Sequence, residues 1–271
     1  MWAYSEPNIF KKLLIIRQSS EVILNLKIKE TAPLIPARDI SLLAPKQLPE
    51  KKGLSFKEGQ ARLLHDLASI ELQAMELGLR TLVEFPEAPR EFREQLWEIT
   101  LSESEHLEMC LTEIEGLGYK WGDWPVHCAL WSATSEKDSL LDRILIVHRF
   151  LEGSGLDAGE TILRRLQGVD AKPVQKAATR IFNDEIGHVE FGSRWYRNIC
   201  AVEKIDPNLD FSLRMDKLRW VLPKRVENIA VDLRKKAGFT DSEILYLQNL
   251  RLAFLGKEAG GNSVNFEDSR R

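Results

Sequence analysis

The chain is 271 residues long, enough for one large domain with a sizeable core or one domain with an appendage. Its 38 basic and 41 acidic residues leave a net charge of −3, which excludes a globally basic nucleic-acid binder and leaves only local patches. Cys110, Cys128 and Cys200 are too far apart for a zinc ribbon or a disulfide framework, so a reducing, cytoplasmic setting is expected.

Taken in chain order, residues 1–54 differ from the rest of the chain. Lys11 and Lys12 precede Leu13-Leu14-Ile15-Ile16, a run too short for a secretory leader, and no stretch reaches the length of a membrane span. Val22 to Ile28 partly alternates, as either a strand or a short helix would. Pro33, Pro36, Pro45 and Pro49 then break any long helix. An extended arm over the surface of the domain is expected, with the first ten residues equally readable as a mobile tail.

Residues 55–203 predict four helices. The first opens at Ser55, with Glu58 placed for a capping box, and carries Leu63, Leu64, Leu67, Ile70, Met75, Leu77 and Leu82 to about Glu84. Pro86 and Pro89 separate it from the second, about Arg90 to Gly116, which Gly116-Leu117-Gly118 closes. Residues 119–135 hold Trp121, Trp124 and Trp131 with little periodicity, and read as the long crossover between two helix pairs. The third helix starts near Ser135 or Lys137. Gly153, Gly155 and Gly159 lie just past Glu152 and predict a bend or a local widening of the π-bulge kind. The fourth opens at Lys172 or Pro173 and runs to about Val202. Residues 204–271 predict shorter helices near Phe211–Trp220, near Arg225–Lys236 and from Thr240 or Asp241 to about Leu255, then a polar tail from Gly260. The fold class expected is all-α: a ferritin-like four-helix bundle with a long crossover, an N-terminal arm and a C-terminal helical extension.

Chemistry concentrates in two copies of one pattern, Glu103-x-x-His106 and Glu185-x-x-His188. Positions i and i+3 share a helix face, so a carboxylate and an imidazole can reach one ion. Glu71 lies 32 residues before Glu103, and Glu152 lies 33 before Glu185. Two antiparallel helices with mid-helix ligands need about 13 residues to the turn and about 13 back, at 1.5 Å per residue. One Glu from each of two helices and one Glu-x-x-His from each of the other two is the ligand set of a dinuclear carboxylate site. Either motif alone would be an ordinary pair of solvated or core side chains; the set of six is specific. Four carboxylates balance two divalent cations, and oxygen-rich sites with one nitrogen per metal suit Fe(II) or Mn(II) better than zinc. Two Fe ions are expected, with Mn or a mixed Fe/Mn pair as alternatives. His148, Asp157 and Asp184 are candidates for the pocket or for hydrogen bonds to the ligating histidines. His65 falls off the Glu71 face, and Glu76, Glu105, Glu108 and Glu190 read as helix-surface charges.

The segments Ile70-Glu71-Leu72-Gln73-Ala74-Met75-Glu76-Leu77, Glu103-x-x-His106, Leu151-Glu152-Gly153-Ser154-Gly155-Leu156-Asp157, Asp184-Glu185-x-x-His188 and Gly192-Ser193-Arg194-Trp195-Tyr196 occur together. They resemble a bacterial family of ferritin-like proteins of unknown function over roughly residues 35–205. That family is distantly similar to the diiron hydroxylase of methylthio-isopentenyl-adenosine in tRNA. The resemblance implies that Glu71, Glu103 and His106 hold one metal, that Glu152, Glu185 and His188 hold the other, and that Glu103 and Glu185 bridge. Ser69 stands where the family often has histidine, and Gly153-Ser154 where it often has Ala-Arg, so substrate access is expected to differ.

The function expected is O₂-dependent oxidation or hydroxylation of a small molecule or modified nucleoside, supported by a reductant, in a monomer or dimer without membrane attachment. Iron storage or detoxification and a non-catalytic helical interaction protein are the alternatives. Nucleic-acid binding would fall to Arg214, Lys217, Arg219, Lys224 and Arg225, with Lys235 and Lys236, a cluster more ordinary as a solvated helix face.

Overall fold

The computed structural model describes residues 2–224 and 227–259, all helix and connection, with no β-strand among them; a lone bridge pairs Leu42 with Val126. The N-terminal stretch is helical where the sequence predicts an extended arm. Helices α1 (Ile9–Gln18) and α2 (Ser20–Leu24) bury Ile9, Leu13, Ile16 and Ile23 against the core, and Ala3 and Tyr4 are buried too. The reason is amphipathic spacing: Ile9, Leu13 and Ile16 fall on one face, and Asn8 caps the first turn by accepting from the Lys11 N–H. Only the proline-bearing stretch from about residue 25 onward is irregular.

Helices α3 (Lys57–Glu84) and α4 (Arg90–Gly116) form the most extensive helix pair of the molecule. The capping box expected at Ser55 does not form. Phe56 takes the cap position, and Glu58 pairs instead with Lys52 at 2.5 Å. Gly118, at φ +86°, provides the left-handed residue just beyond α4. The crossover carries the short α5 (Ala129–Ser132) and is pinned from below by Gln73, whose Oε1 accepts from the Leu130 and Trp131 N–H groups.

The third rod begins with α6 (Leu140–Ile144), capped by Ser139, slightly later than the composition suggests. Next comes a π-helix over Leu145–Glu152, all eight residues buried, and then α7 (Gly153–Leu166). The widening thus precedes the glycines that pointed to it. Gly153 has another reason to lack a side chain: a Cβ there would stand 2.4 Å from Nη1 of Arg234. The fourth rod, α8 (Lys172–Glu203), packs on the π-helix, α7 and α4, and Gly192 lets it approach to where a Cβ would meet that of His148 at 2.4 Å.

Beyond it lie α9 (Pro207–Leu218), α10 (Val231–Lys236) and α11 (Asp241–Ala259). Arg225 and the tail from Gly260 lie outside the described residues. The C-terminal helices attach by buried ion pairs. Arg149 in the π-helix donates to both oxygens of Glu243 at 2.9 and 2.7 Å, and Arg234 pairs with Asp157 at 2.6 Å. Arg234 also donates at 3.1 Å to the Arg149 carbonyl, satisfying an acceptor within the π-helix. No helix among the described residues is long and apolar enough to cross a membrane.

Candidate metal centre

Glu71 comes from α3, Glu103 and His106 from α4, Glu152 from the end of the π-helix, and Glu185 and His188 from α8. All six are nine-tenths buried or more. Ligand atoms of Glu71, Glu103, His106 and Glu185 lie within 4.8 Å of one another, and this buried group can hold a metal ion. Nδ1 of His106 stands 3.3 Å from both a Glu71 and a Glu103 oxygen. Nδ1 of His188 stands 2.9 Å from the other Glu103 oxygen and 3.6 Å from Glu185. Glu103 therefore lies between the two imidazoles, whose rings are 5.9 Å apart. Glu152 is turned away from this group toward His148, whose Nδ1 lies 2.8 and 2.9 Å from its two oxygens, although it lines the same cavity as Glu71 and Glu185.

Of the three residues expected around the six, Asp184 and His148 make such contacts. Nε2 of His106 lies 3.1 Å from Asp184, itself tied to Arg180, which orients the ring so that Nδ1 faces the carboxylates. Asp157 does not: it accepts from Arg234 and from the Ala230 N–H at 2.9 Å, and touches no histidine. His65 is buried away from the centre, stacked on Trp121, with its Nε2 accepting from the Gly122 N–H. Glu76 is not a surface charge but fully buried, held by Lys12 at 2.7 Å and by Arg38 at 2.5 Å. Arg194 and Trp195 both donate to Gln95, and Cys110 and Cys200 fill the core.

Electrostatically the group is unusual. Burial, and then the charge of Glu103, raises the carboxyl pKa of Glu71 and Glu185 above the ordinary range. Burial alone would raise Glu103 too, but His188 and His106 overcome it and hold that carboxyl far down. Burial likewise acts to depress the histidines, and the glutamates overcome it, so both imidazoles are pushed up. Four polar atoms here lack a hydrogen-bond partner: Glu103 Oε1, Glu185 Oε2, His188 Nδ1 and His148 Nε2. The first and third are close but out of line for a hydrogen bond. Buried polar atoms left without a hydrogen bond on Glu103 and Glu185, two members of the close group, fit a cation bound there.

The cavity beside the centre went unread in the sequence. Leu67, Ala74, Leu77, Val147, Leu151 and Ile181 wall it, and three of the carboxylates form its floor. Its signal was present in part, since Leu67, Glu71 and Ala74 sit at helical spacing on one face of α3.

Residues 5–245 match the family described as "Protein of unknown function (DUF455)". An "Uncharacterized protein" of Haemophilus influenzae is 30% identical over 234 residues, covering 81% of this chain and 80% of its own. No solved structure matches significantly.

Proposed function

The chain belongs to the DUF455 family of proteins of unknown function, and we propose that it is a ferritin-like dimetal carboxylate protein that oxidises an organic substrate with O₂. One observation carries the reading. Glu71, Glu103, Glu152 and Glu185 are buried with histidines as their only ionisable partners of opposite sign among the described residues, and one oxygen each of Glu103 and Glu185 is left without a hydrogen bond. Such a cluster is costly to bury unless cations compensate it.

Glu71 and His106 would hold one ion, and Glu152, Glu185 and His188 the other. Glu103, with an oxygen facing each imidazole, would serve both ions, and Glu185 would help to hold them. Two Fe(II), or Mn(II) in one or both positions, suit this oxygen-rich donor set. When bound, such a pair supplies the electrons and binding positions that O₂ activation needs. In the overall reaction one oxygen atom enters a C–H bond and the other leaves as water, with two electrons and two protons drawn from an external reductant and solvent.

The chain's own residues do the rest. Asp184 fixes the tautomer and direction of His106. The apolar walls exclude water from the face formed by Glu71, Glu152 and Glu185, where a carbon substrate would sit. That apolar approach favours an organic substrate over iron storage, for which ions would need a polar path. Three of the seven basic C-terminal residues are committed to acids. Arg214 pairs with Asp210 and Asp142, Lys217 lies 3.4 Å from Asp142, and Lys235 pairs with Asp241, which weighs against a nucleic-acid surface.

The test is elemental analysis of protein purified without chelator, beside Glu185→Ala and His188→Ala. About two Fe or Mn per chain, lost in both variants, is expected. Absence of metal from the parent, with variants equally stable, would remove the reading.

A further inference from the structure

The cavity above the carboxylates has a volume of about 90 Å³ and nearly wholly apolar walls. That is below the roughly 150 Å³ of a dry cavity that admits a benzene ring, and far below the 300 Å³ or so at which pockets for drug-sized ligands begin. It fits a narrow aliphatic segment and excludes a ring system or a base.

The slot is not isolated. Ala158 and Ile162 of α7 line it and also line a second, wider cavity of about 320 Å³. The wider cavity has a different character, with Lys51, Lys52 and Arg165 around it and Asp66 and Glu227 as its acids. Asp66 is already paired with the buried Arg62 at 3.1 Å, so Lys51, also 2.5 Å from Asp66, is a second cation on one acid. Lys52 pairs with Glu58 while its side chain stays more than half exposed, and Arg165 is exposed and makes no ion pair among the described residues. The apolar slot at the carboxylates and this second cavity therefore adjoin across Ala158 and Ile162, and the second holds three cations, Lys51, Lys52 and Arg165, against two acids, Asp66 and Glu227.

We propose that the substrate is amphipathic, a slender aliphatic chain carrying an anionic head group. Its chain enters past Ala158 and Ile162 to reach Glu71, Glu152 and Glu185, while its head stays in the wider cavity at Arg165, Lys51 and Lys52. Apolar burial supplies affinity along the slot, and the cations set which end leads. The idea rests on the oxidase reading for the fate of the chain, but not for its binding.

Binding can be read without turnover, by calorimetric titration of the full-length protein under argon with decanoate, decanol, decyltrimethylammonium and 1-naphthoate. Decanoate should bind at one site. Ala158→Phe, and separately Ile162→Trp, should weaken it by more than about tenfold, or about 1.4 kcal/mol, while melting as the parent does. Arg165→Glu should weaken decanoate several-fold and leave decanol unchanged. No decanoate binding, or binding indifferent to both slot variants, overturns the proposal. Equal affinity for the trimethylammonium analogue overturns the anionic head, and naphthoate binding sensitive to Ala158→Phe overturns the narrow chain. If decanoate binds as stated but the protein carries no metal, the oxidase reading fails and this site stands. If metal is present and decanoate is ignored, only this proposal fails.

Discussion

Two populations of buried carboxylate divide the molecule. In the periphery every buried acid among the described residues has a permanent cation: Glu76 has Lys12 and Arg38, Glu84 has Arg80 and Arg143, Asp142 has Arg214, Asp157 has Arg234, and Glu243 has Arg149. At the centre Glu71, Glu103, Glu152 and Glu185 have, among the described residues, only histidines. The same fold that supplies a guanidinium or ammonium to five acids withholds one from four. A permanent cation makes a buried acid a fastener; withholding it leaves an acid that must take its positive charge from outside. The histidines divide in the same way. His106 and His188, facing glutamates, are pushed up, whereas His65, buried mainly among aromatic rings, is pushed down to about 4.

The largest effect is expected from unfastening the periphery. Arg234→Leu leaves Asp157 buried without its cation and the Arg149 carbonyl without its donor, and should cost about 3–5 kcal/mol in chemical denaturation. An unchanged midpoint would mean that these pairs are not fasteners.

Next in size is an acid effect of His65. Its folded pKa of about 4 lies below the ordinary 6.5, burial being the main cause, so protons favour the unfolded chain. The stability it contributes is complete above pH 6.5 and is lost as pH falls toward 4, amounting to about 3 kcal/mol at most. His65→Gln keeps an acceptor for the Gly122 N–H and should flatten that part of the stability–pH curve. Equal slopes in parent and variant would disprove the assignment.

The smallest expected effect is the sharpest. Burial and the charge of Glu103 raise the pKa values of Glu71 and Glu185, which lowers the cost of losing their charge, and in chelator-treated protein Glu71→Gln with Glu185→Gln replaces them by neutral amides of the same shape. Stability should stay within about 1 kcal/mol of the parent. A loss as large as that of Arg234→Leu would place the central acids with the fasteners.

The buried group of Glu71, Glu103, His106 and Glu185 was legible in the sequence because its rule is local. Glu103 with His106, and Glu185 with His188, need only the helix period, and the upstream Glu71 and Glu152 need only the length of a hairpin. The four long rods were legible for the same reason, their ends marked by Pro86, Pro89 and Pro173 and by the glycines after α4. What stayed hidden depends on contacts far apart in the chain. Glu76 looks like any helix glutamate until Lys12 and Arg38 arrive from the N-terminal segment. Asp157 sits one turn beyond Glu152 and looks like a partner for the site, yet Arg234 claims it. The glycines after Glu152 pointed to irregular backbone, but Gly153 answers to the Arg234 side chain rather than to the π-helix beside it. Residues 9–16 were hidden differently: their amphipathic spacing is visible, but a short apolar run after two lysines invites comparison with a leader before a helix.

The ion pair between Arg149 and Glu243 spans 94 residues, and the bond from Arg234 to the Arg149 carbonyl spans 85. During synthesis, then, α3, α4, α6 and most of α8 emerge from the ribosome while the π-helix between them still lacks the partners that hold it wide. Domains made in N-to-C order fold as units, so a nascent chain ending after α8 possesses every acid and imidazole of the centre without the contacts that Arg234 and Glu243 make to Arg149, three residues before Glu152. Arrival of α10 and α11 is the assembly step, and a truncated or stalled product should be poor at capturing metal even though no ligand is missing from it.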